Sequence, residues 1–222
     1  MKPKALIVYG GWDGHHPKEI AELFRRILSE DGFDVQTSDT LDAYNDPAKL
    51  QALSLIIPHW TMGKISSDQA NNVRAAVASG VGLAGCHGGL CDAFRENTDW
   101  QFMTGGQWVA HPGNQLTYTV DVKPIDHPIT RGIGSFSVTT EQYYMHVDPA
   151  VQALATTRFP TADGPHAPNG PVAMPVIWTK LYGQGRIYYN SLGHDPAVVE
   201  QEPVLTLMRR GFHWAARQAP QC

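Results

Sequence analysis

The chain has 222 residues, 42% of them hydrophobic and only 17% charged, with a formal net charge of −4; that is enough for one well-filled domain over residues 1–222 and short for two. No basic cluster longer than Arg25-Arg26 or Arg209-Arg210 occurs, which argues against a nucleic-acid partner. Three cysteines (Cys86, Cys91, Cys222) make no even disulfide framework and match no zinc spacing. With too few apolar residues at the start for a signal peptide and no run long enough to span a bilayer, a reduced, cytoplasmic protein without a membrane partner is expected.

Lys4 to Gly11 is a continuous apolar run ending in glycines, the pattern of a parallel strand covered on both faces. Pro17 then opens a helix whose apolar positions (Ile20, Leu23, Phe24, Ile27, Leu28) recur at helical spacing until Gly32. Phe33–Thr37 and Leu53–Ile57 read as the next strands. Ser66 or Ser67 caps a helix running to Ser79, and Val81–Gly85 is a fourth strand. This alternation predicts an α/β fold: three layers, a mainly parallel sheet between helices, with right-handed crossovers.

Beyond residue 95 the pattern loosens. Trp100 to Gly113 carries too many glycines for a regular element. Gln115–Lys123 alternates as a strand, Asp126–Thr130 is a turn, and Phe136–Val147 is a strand or extended loop. Val151–Thr157 is a further strand, and residues 159–172 form a Pro/Gly surface loop. Pro175–Tyr182 and Arg186–Ser191 flank Gly183-Gln184-Gly185 as a hairpin, and residues 202–217 form the last helix. The C-terminal half therefore adds antiparallel strands to the sheet.

The stretch Gly85-Cys86-His87-Gly88-Gly89 has the form of a strand-turn-helix elbow, which lifts one side chain above the carboxyl edge of a parallel sheet. The lifted residue is His87; Cys86 points the other way and reads as a small packed residue. The same edge receives Trp12, Asp13, His15 and His16 from the first strand, His59 and Trp60 from the third, and His194 and Asp195 from the last. Four strand ends thus each deliver a histidine. At a helix start the dipole disfavours imidazolium, so His87 is expected to be neutral, suited to general base chemistry or to a metal. His16, His87 and His194 are the candidate ligands for a divalent metal. His127, His166 and His213 read as turn and surface residues.

Several blocks, in this order and spacing, resemble the trehalose-utilisation (ThuA-like) family: Gly10-Gly-Trp-Asp-Gly-His-His-Pro17, Gly85-Cys-His-Gly-Gly89, Gly106-Gln-Trp-Val-Ala-His-Pro-Gly113, His127-Pro-Ile-Thr130, Glu141-Gln-Tyr-Tyr144 and Tyr182 to His194. The resemblance implies a fold similar to the class I glutamine amidotransferases, which is flavodoxin-like. The amidotransferase elbow, however, is Gly-x-Cys-x-Gly, and here histidine stands at that position, so glutamine hydrolysis through a thioester is not expected. What the resemblance implies instead is carbohydrate processing: isomerisation or glycosidic cleavage of a 3-keto-glycoside or related small sugar.

On that reading His87, His194 and Glu141 are catalytic, and Asp13, His15, His59, Trp60, His111 and Tyr143 form the surrounding substrate shell. No nucleotide cofactor is expected, and a homo-oligomer is left open. Two other classes remain: a sugar-binding or regulatory module without turnover, and a hydrolase or transferase with Cys86 as nucleophile.

Overall fold

The computed structural model describes residues 2–217. In chain order the elements are β1 (Lys4–Gly11), α1 (Pro17–Glu30), β2 (Asp34–Ser38), α2 (Pro47–Gln51), β3 (Leu55–Thr61), α3 (Ser67–Ala78), β4 (Gly82–Cys86), α4 (Gly88–Cys91) and α5 (Thr98–Thr104). There follow β5 (Gly106–Ala110), β6 (Gln115–Val122), β7 (Phe136–Glu141), β8 (Tyr144–Val147), β9 (Gln152–Phe159), β10 (Val172–Tyr182), β11 (Gly185–Asn190), α6 (Pro196–Val199) and α7 (Val204–Ala215).

Among the described residues nine strands form one sheet in the order β2-β1-β3-β4-β11-β10-β9-β6-β7. The pairs from β2 to β11 are parallel and those from β11 to β7 antiparallel. The parallel half has the doubly wound order, with a switch point between β1 and β3 where α/β proteins bind ligands. Alternation along β1 shows the three layers directly. Ala5 and Ile7 join a core with α1 and α7 on one face. Leu6 and Val8 join a core with Leu50 of α2 and Val73 and Val77 of α3 on the other.

Local chemistry accounts for the element ends. Pro17 begins α1, and Gly32 follows it at φ 88, a left-handed angle that glycine adopts without steric cost. Ser66 and Gln69 make a reciprocal capping box at α3.

Two departures from the sequence reading concern residues 98–110 and 136–147. The segment expected to be irregular contains α5, capped by the Asn97 side chain and ended by Gly105 at φ 86, and β5. β5 is paired with β8 in a separate two-stranded sheet, a non-local pairing that local periodicity does not report. The expected strand at 136–147 is two strands, β7 and β8, broken at Gln142-Tyr143.

That break matters for the site. β6 meets β9 only through Asp121 and Val122, while the rest of β6 pairs with β7. Tyr118, Val120 and Val138 of this hairpin bury in the α1/α7 core layer, and β7 contacts α6. The end of β7, Glu141, is thereby carried to the edge where β1, β4 and β11 end.

Candidate active site

His87 is the N-cap of α4, held at φ 47 and ψ −138, a region L-residues seldom occupy. The backbone there is fixed on both sides: His87 N–H donates to Asn190 O (2.8 Å), and the Tyr189 hydroxyl donates to His87 O (3.0 Å). The two glycines after it let other chains approach closely. A Cβ on Gly88 would lie 2.6 Å from His15 Cε1, and one on Gly89 would lie 2.3 Å from His59 Nδ1.

His87, fully buried, lies with its ring stacked on Tyr143 at 4.2 Å between centroids. Its Nδ1 is 2.8 Å from Ser191 O. A carbonyl only accepts, so the proton sits on Nδ1 and the neutral ring carries its lone pair on Nε2. That Nε2 faces Glu141 Oε2 at 3.0 Å. His194 Nδ1 faces the same oxygen at 3.3 Å, and His111 Nε2 stands 3.7 Å from Oε1. His15, bonded through Nδ1 to Thr61 Oγ1 (2.9 Å), packs edge to face with His87 at 4.6 Å and with His194 at 5.3 Å.

His87 Nε2, His194 Nδ1 and Glu141 Oε2 are buried, and none has a hydrogen-bond partner among the described residues. They approach one another without the alignment of hydrogen bonds. One ligand atom from each of His15, His87, Glu141 and His194 lies within 4.8 Å of the others. These four residues could hold a metal ion: three imidazoles and a carboxylate are a donor set that transition metals accept.

Burial, then the neighbouring His87, pushes His15 down to about 2. Burial likewise lowers His87 and takes His59 down to about 4. The expected neutrality of His87 therefore comes first from desolvation, with the neighbouring His194 adding to it. Burial pushes Glu141 up, but the His194 and His87 rings against it hold it below the usual carboxylate range. Contact with Glu141 raises His194.

The structure brings together His15, His87, His111, Tyr143, Glu141 and His194. His16, read as a metal ligand, lies outside the cluster: it takes φ 47 at the start of α1 and is exposed, while His15 turns inward in its place. Asp13 is exposed on the same turn. His59 lies behind the cluster, 1% exposed, with Nε2 3.4 Å from His15 O. Trp60 lies flat over Gly10, whose Cβ would meet its ring at 2.7 Å, and packs with the opposite core layer. Tyr143 is buried beneath His87 and serves as its support.

Three residues that the sequence reading did not single out position the site. Ser191 sets the His87 tautomer and Thr61 orients His15. Gln142, fully buried, donates from Nε2 to Thr157 Oγ1 and Arg158 O and accepts from Thr161 N–H, anchoring the break that aims Glu141. Only Gln142 had a sequence signal, as a polar residue between two site residues.

Cys86 is packed in the core and burial pushes its thiol up to about 12; Cys91 is buried and well above its ordinary value. Neither supplies a thiolate at neutral pH. Iodoacetamide is expected to leave both unmodified in the native protein and to alkylate both after unfolding, read by peptide mass spectrometry. Rapid native alkylation of Cys86 would restore the cysteine-nucleophile reading.

The family model described as trehalose utilisation (ThuA) matches residues 4–215. Among solved structures, a ThuA-like protein from Parabacteroides merdae superposes with a TM-score of 0.76 at 18% identity, covering 100% of this chain and 93% of that one. A ThuA-like protein from Bacteroides uniformis gives 0.76 at 20% identity, covering 96% and 92%. A cytoplasmic protein from Salmonella typhimurium LT2 gives 0.68 at 13% identity, covering 96% and 99%. At these identities the superpositions establish the fold. No curated protein matches the chain. Among the described residues no helix is long and apolar enough to cross a membrane.

Proposed function

The chain belongs to the trehalose-utilisation (ThuA) family, and from that premise we propose that the His/Glu cluster is the active site of an enzyme acting on a 3-keto-glycoside or related keto-sugar. The observation that carries the reading is the convergence of His87 and His194 on one buried oxygen of Glu141, with His15 beside them.

A ketone at C3 of a sugar acidifies the proton on C2. Removing it needs a base, a stabilised enolate and, for cleavage, an acid at the leaving oxygen. Glu141 suits the base. Its Oε2 meets the His87 and His194 imidazoles, while Oε1 stands 3.7 Å from His111 Nε2. His194, whose side chain is 15% exposed against 0% for His87, suits the acid, because its raised pKa keeps a proton near neutrality. In cleavage, the pair from the broken C2–H bond forms C1=C2 as the C1–O bond breaks, and the departing oxygen takes its proton from His194. In isomerisation the enediolate is reprotonated at C3, leaving the carbonyl at C2. When bound, a divalent cation held by His15, His87, Glu141 and His194 would stand in for the proton on His194 and supply Lewis acidity toward the ketone and leaving oxygens.

Incubation of the purified protein with 3-keto-trehalose in deuterated water is expected to give deuterium at the exchanging carbon together with an isomer or a released sugar, followed by NMR and mass spectrometry. Keto-glycosides left unchanged, with and without added divalent metals, would sink the proposal. Binding by calorimetry without any product would favour a sugar-binding module on the same fold.

A further inference from the structure

We propose that His15, His87, Glu141 and His194 form a site for one first-row transition cation of the zinc class, and that it discriminates against magnesium and calcium. The inference rests on the reading of this cluster as the active site and adds the identity of what fills it.

The His87 ring carries the argument. Donation of Nδ1–H to Ser191 O (2.8 Å) leaves a lone pair on Nε2, and that lone pair points at a carboxylate oxygen 3.0 Å away. Two electron-rich atoms buried face to face repel unless a cation lies between or beside them. His194 Nδ1 meets the same oxygen at 3.3 Å, and all three atoms are without hydrogen-bond partners among the described residues. An aligned imidazolium–carboxylate pair would have satisfied them. The arrangement is instead that of donors gathered at a common point, with one ligand atom from each of the four residues within 4.8 Å of the others.

The outer partners fit the same purpose. Metal-bound imidazoles usually donate their second N–H to a carbonyl or similar group, which fixes the tautomer. Ser191 O does this for His87, and Thr61 Oγ1 holds Nδ1 of His15. The ligands come from four separate chain segments, after β1, β4 and β11 and at the end of β7, so the folded sheet edge sets their spacing.

Donor chemistry sets the class of ion. Magnesium and calcium take shells of oxygen ligands. Three imidazole nitrogens and one carboxylate oxygen select zinc, cobalt, nickel, iron or manganese.

The test is titration of metal-free full-length protein with Co(II) alone, read by visible ligand-field absorption. One equivalent is expected to bind and to resist a roughly hundredfold excess of magnesium or calcium. His194→Ala, at the exposed rim of the cluster, is expected to fold as judged by circular dichroism and to weaken Co(II) binding by at least about 100-fold. His87→Ala is expected to abolish the spectrum. Absence of a Co(II) spectrum in wild type, displacement by magnesium, or unchanged affinity in folded His194→Ala would each overturn the site. Cobalt binding with keto-glycosides left untouched would refute the proposed reaction and spare the metal site. Turnover without stoichiometric metal would do the reverse.

Discussion

Glu141→Gln is expected to lower keto-glycoside turnover by about 10²- to 10⁴-fold, with a folded protein and a stability deficit that depends on pH. The substitution keeps the side chain's size but removes the negative charge on which His87 and His194 converge. It removes the proposed base and a proposed ligand in one step, so the loss is expected in kcat as well as in Co(II) affinity.

The pH dependence of stability in the metal-free protein follows from the directions of the shifts. Glu141 titrates below its ordinary 4.5 in the fold, so its contribution is complete above 4.5 and fades as pH falls through the folded value. His194 titrates above its ordinary 6.5, so its contribution is complete below 6.5 and fades as pH rises through the folded value. Both are present between 4.5 and 6.5. His15 and His87 are depressed, so acid below 6.5 favours unfolding through them, and Glu141 moderates both. Glu141, His15 and His87 thus make acid the destabilising side, while His194 makes alkali so. Melting curves of metal-free wild type and Glu141→Gln should differ most between pH 4.5 and 6.5, and the gap should narrow above neutrality. A gap independent of pH, or largest in alkali, would remove Glu141 from its role as the charge that organises the cluster.

Most of the parallel half was legible because β1, β3 and β4 are short apolar runs and two of its helices have a stated start, Pro17 for α1 and Ser66 for α3; the five-residue α2 is too short to show a periodicity. His87 was legible because the glycines around it announce a strained turn. His15 and His16 show where such reading stops. They are adjacent and chemically identical, and a one-residue difference in the turn after β1 decides which is buried. That turn is a short 3-10 segment ending in His16 at φ 47, and no periodicity encodes it. Glu141 was a candidate partner of His87 and His194 on condition that it reached their edge. Its arrival at the edge depends on the β6–β7 hairpin peeling from β9 after two paired residues, a matter of long-range packing. Trp60 was assigned to the cleft because it follows His59. Alternation along a strand puts neighbouring side chains on opposite faces, and Trp60 accordingly packs away from His59.

His87→Gly is expected to be more stable than His87→Ala, by about 1 kcal/mol, although both lose turnover. Glycine usually destabilises relative to alanine by roughly 0.5–1 kcal/mol, through the greater backbone freedom it gives up on folding. At φ 47 and ψ −138 alanine carries backbone strain of order 1–3 kcal/mol that glycine does not. Both variants delete the same imidazole, the same stacking on Tyr143 and the same bond to Ser191 O, so these losses cancel in the comparison. What remains is the cost of the elbow itself. Urea unfolding of the two metal-free variants measures it, and an alanine variant equal to or above the glycine variant would show the elbow to be unstrained. If glycine is the more stable residue here, histidine at this position is explained by its ring nitrogen and not by the fold. The backbone bonds from Asn190 and Tyr189 that clamp residue 87 are then what hold a strained turn in place so that Nε2 meets Glu141.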